Sequence, residues 1–74
     1  MRSFEDATGR QWDVAVSDAS YGAQCLIFAA RKGNELRSHE LDLYSRFDAE
    51  QMLLRLDDAA LRALLAGARE WQPG

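Results

Sequence analysis

The stretch from Gln11 to Ser17 alternates without a break, with Trp12, Val14 and Val16 on one side and Gln11, Asp13 and Ser17 on the other. A period of two sustained over that length marks a strand with one buried face. Ahead of it, Asp6-Ala-Thr-Gly9 has the composition of a type I turn closed by a glycine in the left-handed region, the three-residue hairpin loop with a G1 bulge. That loop pairs Asp6 with Arg10, Glu5 with Gln11 and Phe4 with Trp12. Turn chemistry and hydrophobic pattern therefore arrive independently at one register, with opposite charges at the hairpin mouth and two aromatics on the buried face.

The run Ala23-Gln-Cys-Leu-Ile-Phe-Ala-Ala30 is apolar on both faces and too short for an independent helix, which suits a central strand. The connection before it, Asp18-Ala-Ser-Tyr-Gly22, holds five or six residues, and its length decides which face of this strand is core. A five-residue loop from Asp18 to Gly22 sets Val14 opposite Leu26 and Trp12 opposite Phe28, the bulkier pairings, and turns Cys25, Ile27 and Ala29 to the other side. Gly33-Asn34 then forms a two-residue hairpin turn into Leu36-Arg-Ser-His-Glu-Leu41, which brings Leu36 to that other side as well. Leu36 and Leu41 have opposite parity, so this strand carries a bulge or fades near Ser38.

Beyond Tyr44 the period becomes helical. Asp48 reads as an N-cap with Gln51 three residues on, and Phe47 and Met52 fit the hydrophobic staple. A second start lies at Asp57, with Leu56 and Leu61 in the staple positions, so residues 48–70 make one bent helix or two, the two-helix reading being preferred. In the second, Leu61, Leu64, Leu65 and Ala68 follow the i, i+3, i+4, i+7 spacing of a core-facing stripe, and Pro73-Gly74 supplies a stop. The fold expected is α+β: a four-stranded antiparallel β-meander over about 2–43, then one or two C-terminal helices over about 48–71 packed on one sheet face. No linker or repeat divides residues 1–74, which form one domain.

The chain's 74 residues carry nine basic and twelve acidic side chains, a net charge of −3, which is the wrong sign for a domain that holds nucleic acid by neutralising phosphates. The length excludes dinucleotide-binding, TIM-barrel and kinase folds, and the longest apolar run, Cys25 to Ala30, is far short of a membrane span. Arginine supplies every basic residue except Lys32, a bias that high-GC coding produces without functional pressure. One cysteine, Cys25, and one histidine, His39, cannot make an internal disulfide or a four-ligand zinc site. The opening Met1-Arg-Ser-Phe-Glu-Asp6 lacks the apolar region of a signal peptide, so a cytoplasmic location is expected.

Taken together, Phe4, Asp6, Gly9-Arg10, Trp12 and Val14, the apolar strand that follows and Leu56-Asp-Asp-Ala-Ala-Leu61 resemble short bacterial proteins with an F-x-D-x-x-G-R-x-W-x-V opening. The likeness covers most of the chain and implies a shared fold. It brings no activity with it. The polar connection from His39 to Arg46 departs from that pattern.

Candidate chemistry is sparse. A Cys25–His39 pair would need both to converge on a third, orienting group, and a packed thiol beside a solvated imidazole is the simpler reading. Asp42, Asp48, Glu50, Asp57 and Asp58 could suggest a cation site, but Asp48 and Asp57 serve as caps and Asp58 stands four residues from Arg62. Arg55, Arg62 and Arg69, seven apart, would line a phosphate-touching stripe only on a continuous helix. Tyr21 before Gly22 is ordinary for a turn, with recognition as the sharper reading.

The set Cys25, Ile27, Ala29 and Leu36 resists so plain an account. Short helices cover only one side of a sheet, so these residues form an apolar strip facing water, a candidate interface for another protein or a second copy. The chain therefore reads as a non-catalytic interaction module or homodimer, with no catalytic residues, cofactor, metal or membrane contact. The alternative is a nucleic-acid-binding small β domain, Sm-like or another small barrel, against which the acidic balance argues.

Overall fold

The computed structural model describes residues 2–71. Strands β1 (Arg2–Glu5), β2 (Gln11–Asp18), β3 (Gln24–Ala30) and β4 (Leu36–Glu40) form an antiparallel meander. Helices α1 (Arg46–Arg55) and α2 (Asp58–Gly67) follow, and a short strand β5 (Arg69–Glu70) returns to pair with β4. The sheet is open, in the order β1-β2-β3-β4-β5, so the protein is α+β and does not close into a barrel. β5 adds a strand to the four expected and ends the helical region at Gly67. The stop at Pro73-Gly74 lies outside the described residues.

The first hairpin has the expected register, with Phe4 opposite Trp12 and Glu5 opposite Gln11. Gly9 stands at φ +90°, where a Cβ is strained, and Asp6 donates its backbone N–H to the Arg10 carbonyl at 2.8 Å. The Asp6 carboxylate organises the turn. Its Oδ1 accepts from the Thr8 N–H and hydroxyl and from the Arg10 N–H, and its Oδ2 accepts from the Trp12 indole at 2.8 Å. These bonds, led by those from the Thr8 hydroxyl and the Trp12 indole, hold the carboxyl far below the usual carboxylate range.

The next two turns differ from expectation in the same way. Val14 pairs with Phe28 and Val16 with Leu26, because the β2–β3 ladder runs on to an Ala19 N–H bonded to the Ala23 carbonyl, leaving a tight 3-10 turn at Ser20–Gly22. Similarly, Ala29 pairs with Leu36 and the Ala30 N–H donates to the Glu35 carbonyl, so the third turn spans 31–34 instead of two residues. Each change moves the register by two, and a shift of two leaves every side chain on its own face. β4 neither bulges nor fades. Leu41 continues the ladder by donating to the Gln24 carbonyl, and its parity differs from that of Leu36 because the two serve opposite faces.

α1 starts earlier than expected. Ser45, not Asp48, is its N-cap, accepting from the Asp48 N–H at 3.4 Å, and Asp48 sits in the first turn, where its charge suits the helix dipole. Phe47 consequently does not form a staple and is 69% exposed. The chain breaks at Leu56, whose extended backbone separates two helices, and Asp57 caps α2 by accepting from Ala60 at 2.8 Å. Arg2 fixes this joint from β1: its guanidinium donates to the carbonyls of Leu53 and Leu56 at the end of α1 and pairs with Asp58 at 3.3 Å.

Both helices lie on one sheet face. α1 packs over β2 and β3, while α2 bridges β1 and β4. Between the layers Trp12, Val14, Leu26, Phe28 and Leu61 are essentially fully buried, each contributing roughly 1.5–3 kcal/mol by removal from water. Phe4 meets Phe28 edge to face at 6.0 Å, and Leu65 is buried beside them with Leu64 packed at the margin.

Candidate functional site

Alternation puts Ala15 of β2, Cys25, Ile27 and Ala29 of β3, and Leu36 and Ser38 of β4 on the face away from the helices. The strip anticipated from the sequence is thus one continuous patch, with Ile27, Ala29 and Leu36 half-buried by their neighbours alone. Cys25 is only 5% exposed and forms part of the floor. Trp71, which the sequence did not bring to this face, donates its N–H to the Leu36 carbonyl at 3.0 Å. With Cys25, Ser38, Glu40, Asp18 and Ala19 it lines a shallow hollow of about 380 Å³. Burial pushes the Cys25 thiol pKa up, and the negative charges of Glu40 and Asp18 add to the effect.

Charged residues of both signs rim this patch. At the Gln24 end of β3 stand Asp18 and Glu40, both exposed, and beyond them Tyr21, fully exposed in the turn with its backbone at φ 59°. At the Ala30 end stand Arg31 and Lys32. Arg31 folds back to donate to the Ser3 hydroxyl at 2.8 Å and to Asp13 at 2.9 Å, which holds the Asp13 carboxyl below its usual range.

Cys25 and His39 do not form a pair. His39 lies opposite Leu26, on the helix side of the sheet, whereas Cys25 is opposite Glu40 on the outer side. Among the described residues no group of three or more His, Cys, Asp or Glu side chains is placed to hold a metal ion. Arg55, Arg62 and Arg69 fall on α1, α2 and β5 respectively, so the phosphate stripe that a single helix would have presented does not form. Most arginines are engaged internally. Arg62 donates to the Glu5 carbonyl at 2.8 Å and Arg46 to the Val16 carbonyl at 3.4 Å, tying each helix to a strand. Arg10 and Arg37 lie over the Trp12 ring at 5.0 and 5.7 Å, and Glu35 accepts from both, which lowers its own pKa.

A second exposed apolar feature lies on α1. Phe47 and Leu54 are 69% and 72% exposed, seven residues apart on one side of the helix, roughly 130° around from the Ala49–Leu53 side that enters the core. Their signal was present in the sequence, but a helix with apolar residues on two separate faces yields no single stripe.

Comparison with protein-family models, curated proteins and solved structures returns no match. No helix of the described residues is long and apolar enough to cross a membrane.

Proposed function

We propose that this domain is a non-catalytic protein-interaction module of the cytoplasm, with the outer sheet face around Ile27, Ala29 and Leu36 as its contact surface. One observation carries the reading: both helices cover the same side of the sheet, leaving a continuous apolar strip on the other. An uncovered apolar patch rimmed by polar residues is the usual form of a contact site. The separation of Cys25 from His39 by the thickness of the sheet supports the non-catalytic part. Internal engagement of Arg2, Arg10, Arg31, Arg37, Arg46 and Arg62 weighs against the nucleic-acid alternative, since few guanidinium groups stay available for a phosphate track.

The test is site-specific photo-cross-linking in cells. A photoreactive residue at position 27 or 29 should give discrete adducts, while the same residue at exposed Ala66 on α2 should not. Equal adduct patterns from all three positions, or none from 27 and 29, would sink the reading. An oligonucleotide titration that finds micromolar, salt-sensitive binding would promote the alternative.

A further inference from the structure

We infer that α1 is a self-association helix, whose exposed face packs against the same face of a second copy of this chain, the two helices antiparallel about a two-fold axis at Gln51. Of the large apolar side chains exposed among the described residues, Tyr21, Tyr44, Phe47, Leu54 and Trp71, three fall between positions 44 and 54. Phe47 and Leu54 are seven residues apart, and so are Asp48 and Arg55, one in the first turn of the helix and the other in the last. At about 100° per residue the apolar pair and the charged pair make two parallel flanks roughly 100° apart, with Gln51 midway between them on the side away from the core. A hollow of about 560 Å³ lies on this face, lined by Leu43, Phe47, Asp48, Gln51, Met52 and Arg55.

Charge and spacing together select a second copy as the occupant. A two-fold axis that crosses both helices at Gln51, in the plane of contact, reverses one helix along the other while keeping each flank on its own side. With a rise of about 1.5 Å per residue, Phe47 then falls within about 1.5 Å, along the helix, of Leu54 of the second copy, and Asp48 within the same distance of its Arg55. Apolar flank meets apolar flank, and each carboxylate meets a guanidinium. An axis along the helices would instead lay each apolar flank over a charged one and set the helix dipoles parallel. Asp48 and Arg55 are both exposed, neither has an ion-pair partner among the described residues, and seven residues, about 10 Å, keep them from one another. Of the other charged side chains on or next to α1, Arg46 donates to the Val16 carbonyl, Asp57 accepts from Ala60, Asp58 pairs with Arg2, and half-buried Glu50 lies roughly 100° around from Gln51. α1 is only about 15 Å long, so the contact is small and the dimer belongs in the high micromolar range. The outer sheet face is on the opposite side of the molecule, so this contact leaves it open in both copies and does not rest on its role.

Sedimentation velocity from micromolar to millimolar concentration tests the inference. The wild-type chain should dimerise, and Phe47→Ser with Leu54→Ser should abolish the dimer while leaving the circular dichroism spectrum unchanged, both side chains being exposed. Asp48→Arg and Arg55→Asp should each weaken it about fivefold or more, since each turns two attractive pairs repulsive, and the chain carrying both should dimerise as the wild type does. Orientation is read in a Cys25→Ala background: Phe47→Cys mixed with Leu54→Cys should form a disulfide-linked heterodimer on mild oxidation much faster than either variant links to itself, because antiparallel copies hold like positions roughly 10 Å apart along the helix. A monomer at every concentration overturns the inference, while the outer contact surface stands or falls on its own cross-linking test. A dimer that survives the double serine variant and is lost on Ile27→Glu overturns it too and moves self-association to the outer sheet face. A dimer without charge rescue, or with Phe47→Cys linking fastest to itself, overturns the antiparallel packing.

Discussion

Trp12 ties several parts of this molecule together. It is 1% exposed, pairs with Phe4, donates its indole N–H to Asp6 and carries two guanidinium groups on its ring. Truncating a buried Trp to Ala costs about 3–5 kcal/mol, through lost transfer energy and the cavity left behind. At roughly 0.05–0.15 kcal/mol per residue, the whole chain has about 4–11 kcal/mol to lose, so Trp12→Ala should be unfolded or nearly so at 25 °C. Trp12→Phe keeps a ring in place and loses the indole bond, for an expected cost of about 1–2 kcal/mol. With a urea m-value near 1 kcal/mol/M, that variant's midpoint should fall by roughly 1–2 M, read by far-UV circular dichroism. Trp71, 36% exposed on the other side of the sheet, is the internal control, and Trp71→Ala should cost clearly less than Trp12→Ala. Equal losses from the two tryptophans would show that the core does not lie on the helix face, and the layer assignment would fall with it.

Acid should destabilise the fold. Asp6, Asp13 and Glu35 have folded-state pKa values depressed by their hydrogen bonds and arginine partners, so their stabilisation is present above the unfolded carboxylate range near pH 4 and is lost as pH falls through the folded values. Thermal midpoints flat from pH 7 to pH 5 and falling below about pH 4 are expected, and Asp6→Asn should lessen the acid slope. Removing the α2 cap with Asp57→Ala should cost about 1 kcal/mol in urea titrations, and Ser45→Ala less, since its bond is the longer. Tyr21→Asn should leave the monomer unchanged or up to about 1 kcal/mol more stable, because Asn tolerates the left-handed backbone; a loss of that size would mean that Tyr21 packs within its own chain.

How far the fold was legible follows from what each signal depends on. The first hairpin was readable to the residue because a turn of defined geometry and a strict alternation constrained the same pairing. The next two turns were misplaced, yet both errors moved the register by two, so core and outer faces were still assigned correctly. The N-cap of α1 went to Asp48 because it opens a capping-box pattern, whereas Ser45, three residues earlier, does the capping and makes Asp48 a first-turn acid. β5 had no legible signal: a pair of charged residues, Arg69-Glu70, becomes a strand only because α2 delivers it to the open edge of β4. The Arg10–Glu35–Arg37 cluster was hidden for a similar reason, since its members come from different turns and strands and meet only over the Trp12 ring.

The candidate surface was legible because it depends on parity alone, and parity survives register errors. Its meaning depends on a contrast between neighbouring strands. On the outer face β2 offers Asp13, Ala15 and Ser17, residues suited to water, while β3 offers Cys25, Ile27 and Ala29 and β4 adds Leu36 beside them. Had the face evolved only to meet solvent, β3 would be expected to alternate as β2 does. The apolar bias instead follows the central strand, from Cys25 through Ile27 to Ala29, and passes to Leu36 on its neighbour.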